Sequence, residues 1–106
     1  MTINELAKDI HENAVKHGWW DDPRNFGEIV ALCHSELSEA LEESRAGRLM
    51  VWYSEGAKPE GIAVELVDCV IRIFDYLAYE GIDIEEVLLN KHAYNKNRPY
   101  KHGKLF

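Results

Sequence analysis

The stretch KPEGIAVELVDCVIRIFDYL, from Lys58 to Leu77, decides the fold. Its apolar residues recur at helical spacing and occupy more than half of the helix circumference. A helix that is apolar on so many sides has to be buried against other helices. Proline is favoured in the first turn of a helix, and glycine is favoured just past the last. The sequence therefore predicts a buried central helix that begins at Pro59 and ends near Gly81.

Three capping signatures predict three more helices. In each, a short polar residue is followed three positions later by glutamate: Thr2 to Glu5, Asn25 to Glu28 and Asp83 to Glu86. Such a pair satisfies backbone N–H groups at a helix start. Apolar residues at helical spacing then extend these helices to about His17, Gly47 and Asn95.

Two segments are predicted to be loops. Pro23 prevents residues 19–24 from continuing the first helix, because proline lacks the N–H and disfavours helical geometry at the residue before it. Residues 48–59 show no helical period, and any strand there lacks a second strand as partner. The predicted fold class is all-α: one domain, residues 1–106, forming a bundle of four to five helices.

Composition narrows the class of protein. The chain has 106 residues and a net charge of −7, and no long apolar run or signal-peptide pattern occurs, so we expect a cytoplasmic protein without a membrane span. Every acidic residue precedes position 87, whereas five basic residues follow it. Because nucleic acids are bound mainly through basic side chains, duplex binding is not expected. Cys33 and Cys69 lie in apolar helical patterns and are predicted to be reduced core thiols.

Two pairs of acids carry the functional signal. Glu36 and Glu39 are three residues apart on the second helix, and Glu65 and Asp68 are three apart on the third. Each pair therefore lies on one helix face. If the two helices pack antiparallel, the four carboxylates can converge and bind a hard divalent cation, either Mg²⁺ or Mn²⁺. A structural alternative is that the buried acids pair with Arg72.

Two neighbouring patterns point away from further sites. No histidine follows a glutamate by three residues, so the Glu-x-x-His motif of di-iron bundles is missing and that cofactor is disfavoured. Glu42 and Glu43 are most simply a solvated helix face, with Glu42 paired to Arg45.

With these motifs the sequence resembles the MazG-like family of all-α nucleoside triphosphate pyrophosphohydrolases. Glu36-x-x-Glu39 and Glu65-x-x-Asp68 match the family pattern, and the ending NKHAYNKNRPYKHGK, residues 90–104, extends the likeness. The resemblance implies Mg²⁺-dependent hydrolysis between the α and β phosphates, giving a monophosphate and pyrophosphate. It also implies that these four acids are metal ligands. Glu36 and Glu39 are the candidates for the base that takes a proton from a metal-bound water.

The resemblance extends to the substrate. Lys91, Asn95 and Arg98 lie in the matching C-terminal segment and are assigned to the phosphates, with Lys96 and Lys101 as second choices. Trp19, Trp20 and Trp52 all lie in predicted loops, and one of them can stack on a base; Trp20 and Trp52 are our candidates. His34, close to Glu36, is a further candidate contact. The same residues can also be explained by packing or by solvation.

The resemblance further implies a homodimer or homotetramer, in which helices of neighbouring subunits complete the bundle. The preferred base and sugar stay open. A rival hypothesis is a non-catalytic helical module that binds nucleotide or a protein partner without turnover. A weaker alternative is hydrolysis of another metabolite that contains a pyrophosphate group.

Overall fold

The computed structural model describes residues 1–106 and contains four α-helices: α1 (Ile3–Lys16), α2 (Phe26–Arg45), α3 (Ile62–Tyr79) and α4 (Ile84–Lys96). The all-α class is therefore confirmed, and the ends of α1, α2 and α4 agree with the prediction to within a few residues. No helix combines the length and hydrophobicity needed to cross a membrane. Both cysteines are free thiols, as predicted.

All three predicted capping signatures are confirmed. The side chains of Thr2, Asn25 and Asp83 accept hydrogen bonds from the backbone N–H groups of Glu5, Glu28 and Glu86, respectively. Each bond satisfies an N–H group that has no partner inside the helix.

The segment between α2 and α3 contains a short hairpin that the sequence did not predict. Strands β1 (Trp52–Tyr53) and β2 (Pro59–Glu60) are antiparallel, and Trp52 lies opposite Glu60. A 3-10 turn, Glu55–Ala57, connects them. The prediction of an unpaired loop was wrong, and so was the helix start at Pro59. Strands of two residues are too short to show the alternation by which strands are identified.

The start of α3 is held by the backbone of the preceding loop. Gly61 is the N-cap, and the N–H groups of Ile62 and Ala63 donate to the carbonyls of Leu49 and Met50 at 3.4 and 2.9 Å. Gly61 has a φ of 120°, and a Cβ there would lie 2.5 Å from the Met50 carbonyl oxygen. Only glycine fits this position, and backbone carbonyls of the segment before β1 perform the capping role that a polar side chain performs at the other three helices.

Helix α3 packs against both α1 and α2. It runs antiparallel to α2, because the ring of Phe26, at the start of α2, lies 5.2 Å from Tyr76, near the end of α3. Within α3 only Cys69 and Asp75 are buried. The prediction of a buried α3 is therefore wrong for a single chain, since two neighbouring helices cannot cover all its apolar sides. The exposed apolar residues of α3 include Leu66, Val67, Val70, Ile71 and Ile73.

Helix α4 is attached mainly through one residue of α1. The Asn4 side chain accepts from the backbone N–H groups of Ile84 and Glu85 at 2.9 and 3.2 Å, and it donates to Asp83 at 2.8 Å. The chain has a radius of gyration of 16.4 Å, against about 13 Å for a compact domain of this length. A single chain is thus more open than its size requires.

Candidate metal centre

Three carboxylates converge where the middle of α2 faces the first half of α3. One carboxylate oxygen each of Glu36, Glu65 and Asp68 lies within 4.8 Å of the others. Glu36 comes from α2 and is only 8% exposed, whereas Glu65 and Asp68 come from α3 and are half-buried. The antiparallel packing that the sequence suggested thus brings three of the four predicted ligands together. We refer to these three residues as the carboxylate cluster.

Glu65 is the least satisfied member of the carboxylate cluster. Its Oε2 atom is buried and has no hydrogen-bond partner. Burial raises the pKa of Glu65 from 4.5 to about 7, together with a hydrogen bond that the protonated acid makes with Glu39 and with the charges of Glu39, Asp68 and Glu36. A buried carboxylate oxygen without a donor is costly, and a bound cation would remove that cost.

The fourth predicted ligand, Glu39, lies at the edge. Its side chain is exposed and outside the carboxylate cluster, but it lines the same depression as Glu65 and raises the pKa of that residue. Asp68 lies deeper. Burial raises the pKa of Asp68, the Glu36 carboxylate adds to the rise, and Arg72 acts in the opposite direction.

Arg72 is the cation closest to these acids. Its Nε donates to Glu36 Oε1 at 2.8 Å. In the alternative to a metal site, the spacing of four residues on one helix predicts that Arg72 pairs with Asp68. The bond instead joins α3 to α2, although the charge of Arg72 still lowers the pKa of Asp68.

The donor set fits a hard divalent cation. The converging atoms are carboxylate oxygens, which Mg²⁺ and Mn²⁺ prefer. One of the three residues is held by Arg72, and Glu65 contributes an oxygen without any donor. Glu36, Glu65 and Asp68 would hold the cation, and Glu39 could join them from the exposed side.

Two depressions meet at the carboxylate cluster. A groove of about 400 Å³ is formed by α1, α2, α3 and Trp19. Its charged lining residues are Glu36, Asp68, Arg72 and Asp75, and the others are Asn13, Trp19 and apolar side chains. On the other side, Glu65 and Glu39 line a more open and largely polar depression. The cluster is therefore accessible, and the groove joins charged groups to an apolar and aromatic wall.

Trp19 is a candidate that the sequence-based choice missed. It is 59% exposed and lies on the wall of the groove. Trp20, which was chosen, donates from Nε1 to the two oxygens of Asp75 at 3.0 and 3.2 Å, and its ring stacks on Tyr79 at 4.3 Å. The sequence places both tryptophans in one loop, but it does not show which of them is exposed and which is packed.

The other aromatic candidates lie elsewhere. Trp52 is half-buried in β1, with the Arg48 guanidinium 5.3 Å from its ring and a buried Nε1 that has no partner. His34 is exposed and borders an apolar depression between α2 and α3. Their roles toward substrate stay predictions.

The predicted phosphate ligands belong to α4 and its C-terminal end. Lys91 and Arg98 lie 5.0 and 5.7 Å from the ring of Tyr94, and the Oδ1 atom of Asn95 is buried without a partner. None of the three lines either depression at the carboxylate cluster. A single chain therefore does not bring the basic segment to the acidic centre.

Comparison with protein-family models, with curated proteins and with solved structures finds no match.

Proposed function

We propose that this protein is a Mg²⁺-dependent nucleoside triphosphate pyrophosphohydrolase of the MazG-like type. The observation that carries the proposal is the convergence of three carboxylates from two antiparallel helices, one of which has a buried oxygen without a donor. The sequence motifs around them, Glu-x-x-Glu and Glu-x-x-Asp, support the same assignment.

The roles of the residues follow from their surroundings. Glu36, Glu65 and Asp68 would hold the metal. When bound, the metal supplies charge neutralisation for the phosphates and a water of lowered pKa. Of the two candidates for the base, Glu39 is favoured, because Glu36 is already bound to Arg72 whereas Glu39 is exposed at the edge of the cluster.

The groove beside the carboxylate cluster is the proposed nucleoside site. Trp19 offers an exposed aromatic face for stacking, and Asn13 offers an amide that can both donate and accept hydrogen bonds. The proposal thus puts the phosphates at the carboxylates and the base toward Trp19.

We further propose a homodimer or homotetramer. Only eight of 106 residues are buried, and α2 and α3 expose apolar side chains around the depression that Phe26 and Ile73 line. Association would cover these side chains. It would also allow Lys91, Asn95 and Arg98 of one subunit to approach the phosphates bound to another.

A panel of ribo- and deoxynucleoside triphosphates with Mg²⁺ tests the activity. We expect release of pyrophosphate and a nucleoside monophosphate, and we expect loss of this activity in Asp68→Ala and Glu39→Ala. Glu55→Ala is the control, because Glu55 is an exposed acid that lines neither depression at the carboxylate cluster, whereas Glu42, although it pairs with Arg45 at 3.4 Å, lines the same depression as Glu39. Release of orthophosphate alone would contradict the proposal.

The rival is a non-catalytic binding module, which the exposed apolar surface would also suit. Calorimetry distinguishes the two functions. The rival predicts either nucleotide binding without turnover or no Mg²⁺-dependent binding, whereas an enzyme shows turnover of at least one nucleotide of the panel.

A further inference from the structure

Arg72 has an unusual position among the basic residues of this chain. Its Nε donates to Glu36 Oε1 at 2.8 Å, and the two side chains are only 30% and 10% exposed. The chain's other Arg–Glu ion pairs, at 3.4 and 3.9 Å, are more exposed. The guanidinium therefore lies against the carboxylate cluster and is partly shielded from water.

The rest of the guanidinium is free to bind another group. Nε is the nitrogen of Arg72 that bonds within the chain, and Arg72 lines the groove together with Asp68 and Asp75. Asp75 does not need the charge of Arg72, because it accepts hydrogen bonds from His11 at 2.7 Å and from Trp20. The positive charge is thus directed to the carboxylate cluster and to whatever occupies the groove.

We propose that Arg72 is an internal counter-ion that weakens binding of a free divalent cation and strengthens binding of the cation together with a nucleotide. This inference rests on the proposed function. Arg72 is a positioning residue for Glu36 in the absence of ligand, and it becomes a phosphate contact when the nucleotide is bound.

The first half of the inference follows from charge. Arg72 occupies one oxygen of Glu36 and puts a unit positive charge beside the site that a divalent cation would enter. Like charges at a few ångström repel strongly where water is partly excluded. The carboxylate cluster therefore binds a cation less tightly with Arg72 than it would without it.

The second half follows from the charge of the ligand. A triphosphate carries about four negative charges, so Arg72 and the metal then attract the same group instead of repelling each other. A guanidinium can also bind phosphate oxygens through two parallel N–H groups. Metal and nucleotide are thereby bound cooperatively, and the metal is retained mainly with its substrate.

Binding of Mn²⁺, measured by calorimetry with and without a nonhydrolysable nucleoside triphosphate, tests this inference. We expect Arg72→Gln to bind free Mn²⁺ roughly tenfold more tightly than the wild type. In the wild type the nucleotide should raise the affinity for Mn²⁺, and the variant should lose most of this increase. Arg45→Gln removes the same charge from an exposed pair and should change neither value. Unchanged or weaker binding of free Mn²⁺ by Arg72→Gln would overturn the inference.

Arg72→Lys keeps the test decisive if Arg72→Gln does not fold. Lysine keeps the charge but lacks the planar pair of donors. We expect the affinity of this variant for free Mn²⁺ to stay within about twofold of that of the wild type, while the increase in Mn²⁺ affinity that the nucleotide causes falls severalfold. An unchanged increase would refute the contact with phosphate.

The failure of this inference is distinguishable from the failure of the proposed function. A wild type that binds no Mn²⁺ and hydrolyses no nucleotide would refute both. A wild type that binds Mn²⁺ and releases pyrophosphate, together with an Arg72→Gln variant of unaltered Mn²⁺ affinity, would refute the role of Arg72 alone.

Discussion

Asp75 and Glu65, two acids on α3, differ in whether their buried carboxylate oxygens receive hydrogen bonds. Asp75 is 8% exposed and accepts hydrogen bonds from His11 Nδ1 and Trp20 Nε1. Glu65, near the opposite end of the helix, has a buried oxygen without a donor and three carboxylates as neighbours. Burial alone therefore does not identify a site. What distinguishes the two acids is whether the surrounding helices supply hydrogen-bond donors.

The difference originates in the neighbouring elements. Near Asp75, α1 and the loop after it contribute a histidine and a tryptophan, both of which carry N–H groups. Near Glu65, α2 contributes Glu36 and Glu39, and Arg72 reaches only the first of them. The hydrogen bonds of Asp75 are therefore made within the chain, whereas Glu65 keeps a buried oxygen without a donor.

The largest expected effect is the loss of activity in Glu65→Gln. The substitution keeps the shape of the side chain but removes a proposed metal ligand, so we expect pyrophosphate release to fall by about 100-fold or more. The same variant should be more stable than the wild type at neutral pH without metal, because it removes a charge that burial disfavours. Retained activity would show that Glu65 is not a ligand.

The next effect concerns the turn that positions Glu65. In Gly61→Ala the new Cβ would meet the Met50 carbonyl oxygen at a φ that disfavours alanine, so we expect a loss of about 3 kcal/mol in the free energy of unfolding. Urea denaturation measures it. Gly47→Ala is the control, because Gly47 also has a positive φ, of 71°, but no atom lies within 4 Å of its Cβ position. We expect about 1 kcal/mol there; equal losses would contradict the close contact.

Asp75→Asn should show the opposite pattern to Glu65→Gln. The amide oxygen can replace Oδ1 and accept from both His11 and Trp20, but these bonds lose the negative charge of the acceptor, and the NH₂ group then faces the N–H of Trp20 that donates to Oδ2 at 3.2 Å. We therefore expect a loss of about 2 kcal/mol in unfolding free energy, while Mn²⁺ binding persists in the folded protein. Loss of Mn²⁺ binding in a stably folded variant would show that Asp75 belongs to the metal site.

The helices and the acid pairs could be predicted because their signals are local. Capping residues act within three positions of a helix start, and two acids three apart share a helix face. The sequence therefore identified both Glu36 and Glu65 as candidate ligands. Their convergence depended only on antiparallel packing of α2 and α3.

The remaining features depend on contacts between distant segments. Arg72 binds Glu36 rather than its neighbour on α3 because of the exact register of the two helices. Trp20 is half-buried because Asp75 accepts its hydrogen bonds, whereas Trp19 is exposed. The hairpin at Trp52 is too short to produce a periodic pattern. Such features become visible only once the helices are placed.

The smallest predicted effect is the pH dependence of stability in the metal-free protein. The pKa of Glu65 rises from 4.5 to about 7 on folding, so the folded state favours the protonated acid. Its contribution to stability is fully present below pH 4.5, and it is lost as the pH rises through about 7. Because Glu65 is half-buried, we expect a loss of only about 1 kcal/mol.

Urea denaturation in the presence of a chelator, between pH 4 and pH 8, measures this loss. Comparison with Glu65→Gln removes the contributions of other groups, since the difference in unfolding free energy between the two proteins contains mainly the titration of residue 65. The free energy of unfolding of Glu65→Gln should increase relative to that of the wild type as the pH rises through about 7. A difference that stays constant over this range would mean that Glu65 is charged at no cost, and the contrast with Asp75 would then lose its physical basis.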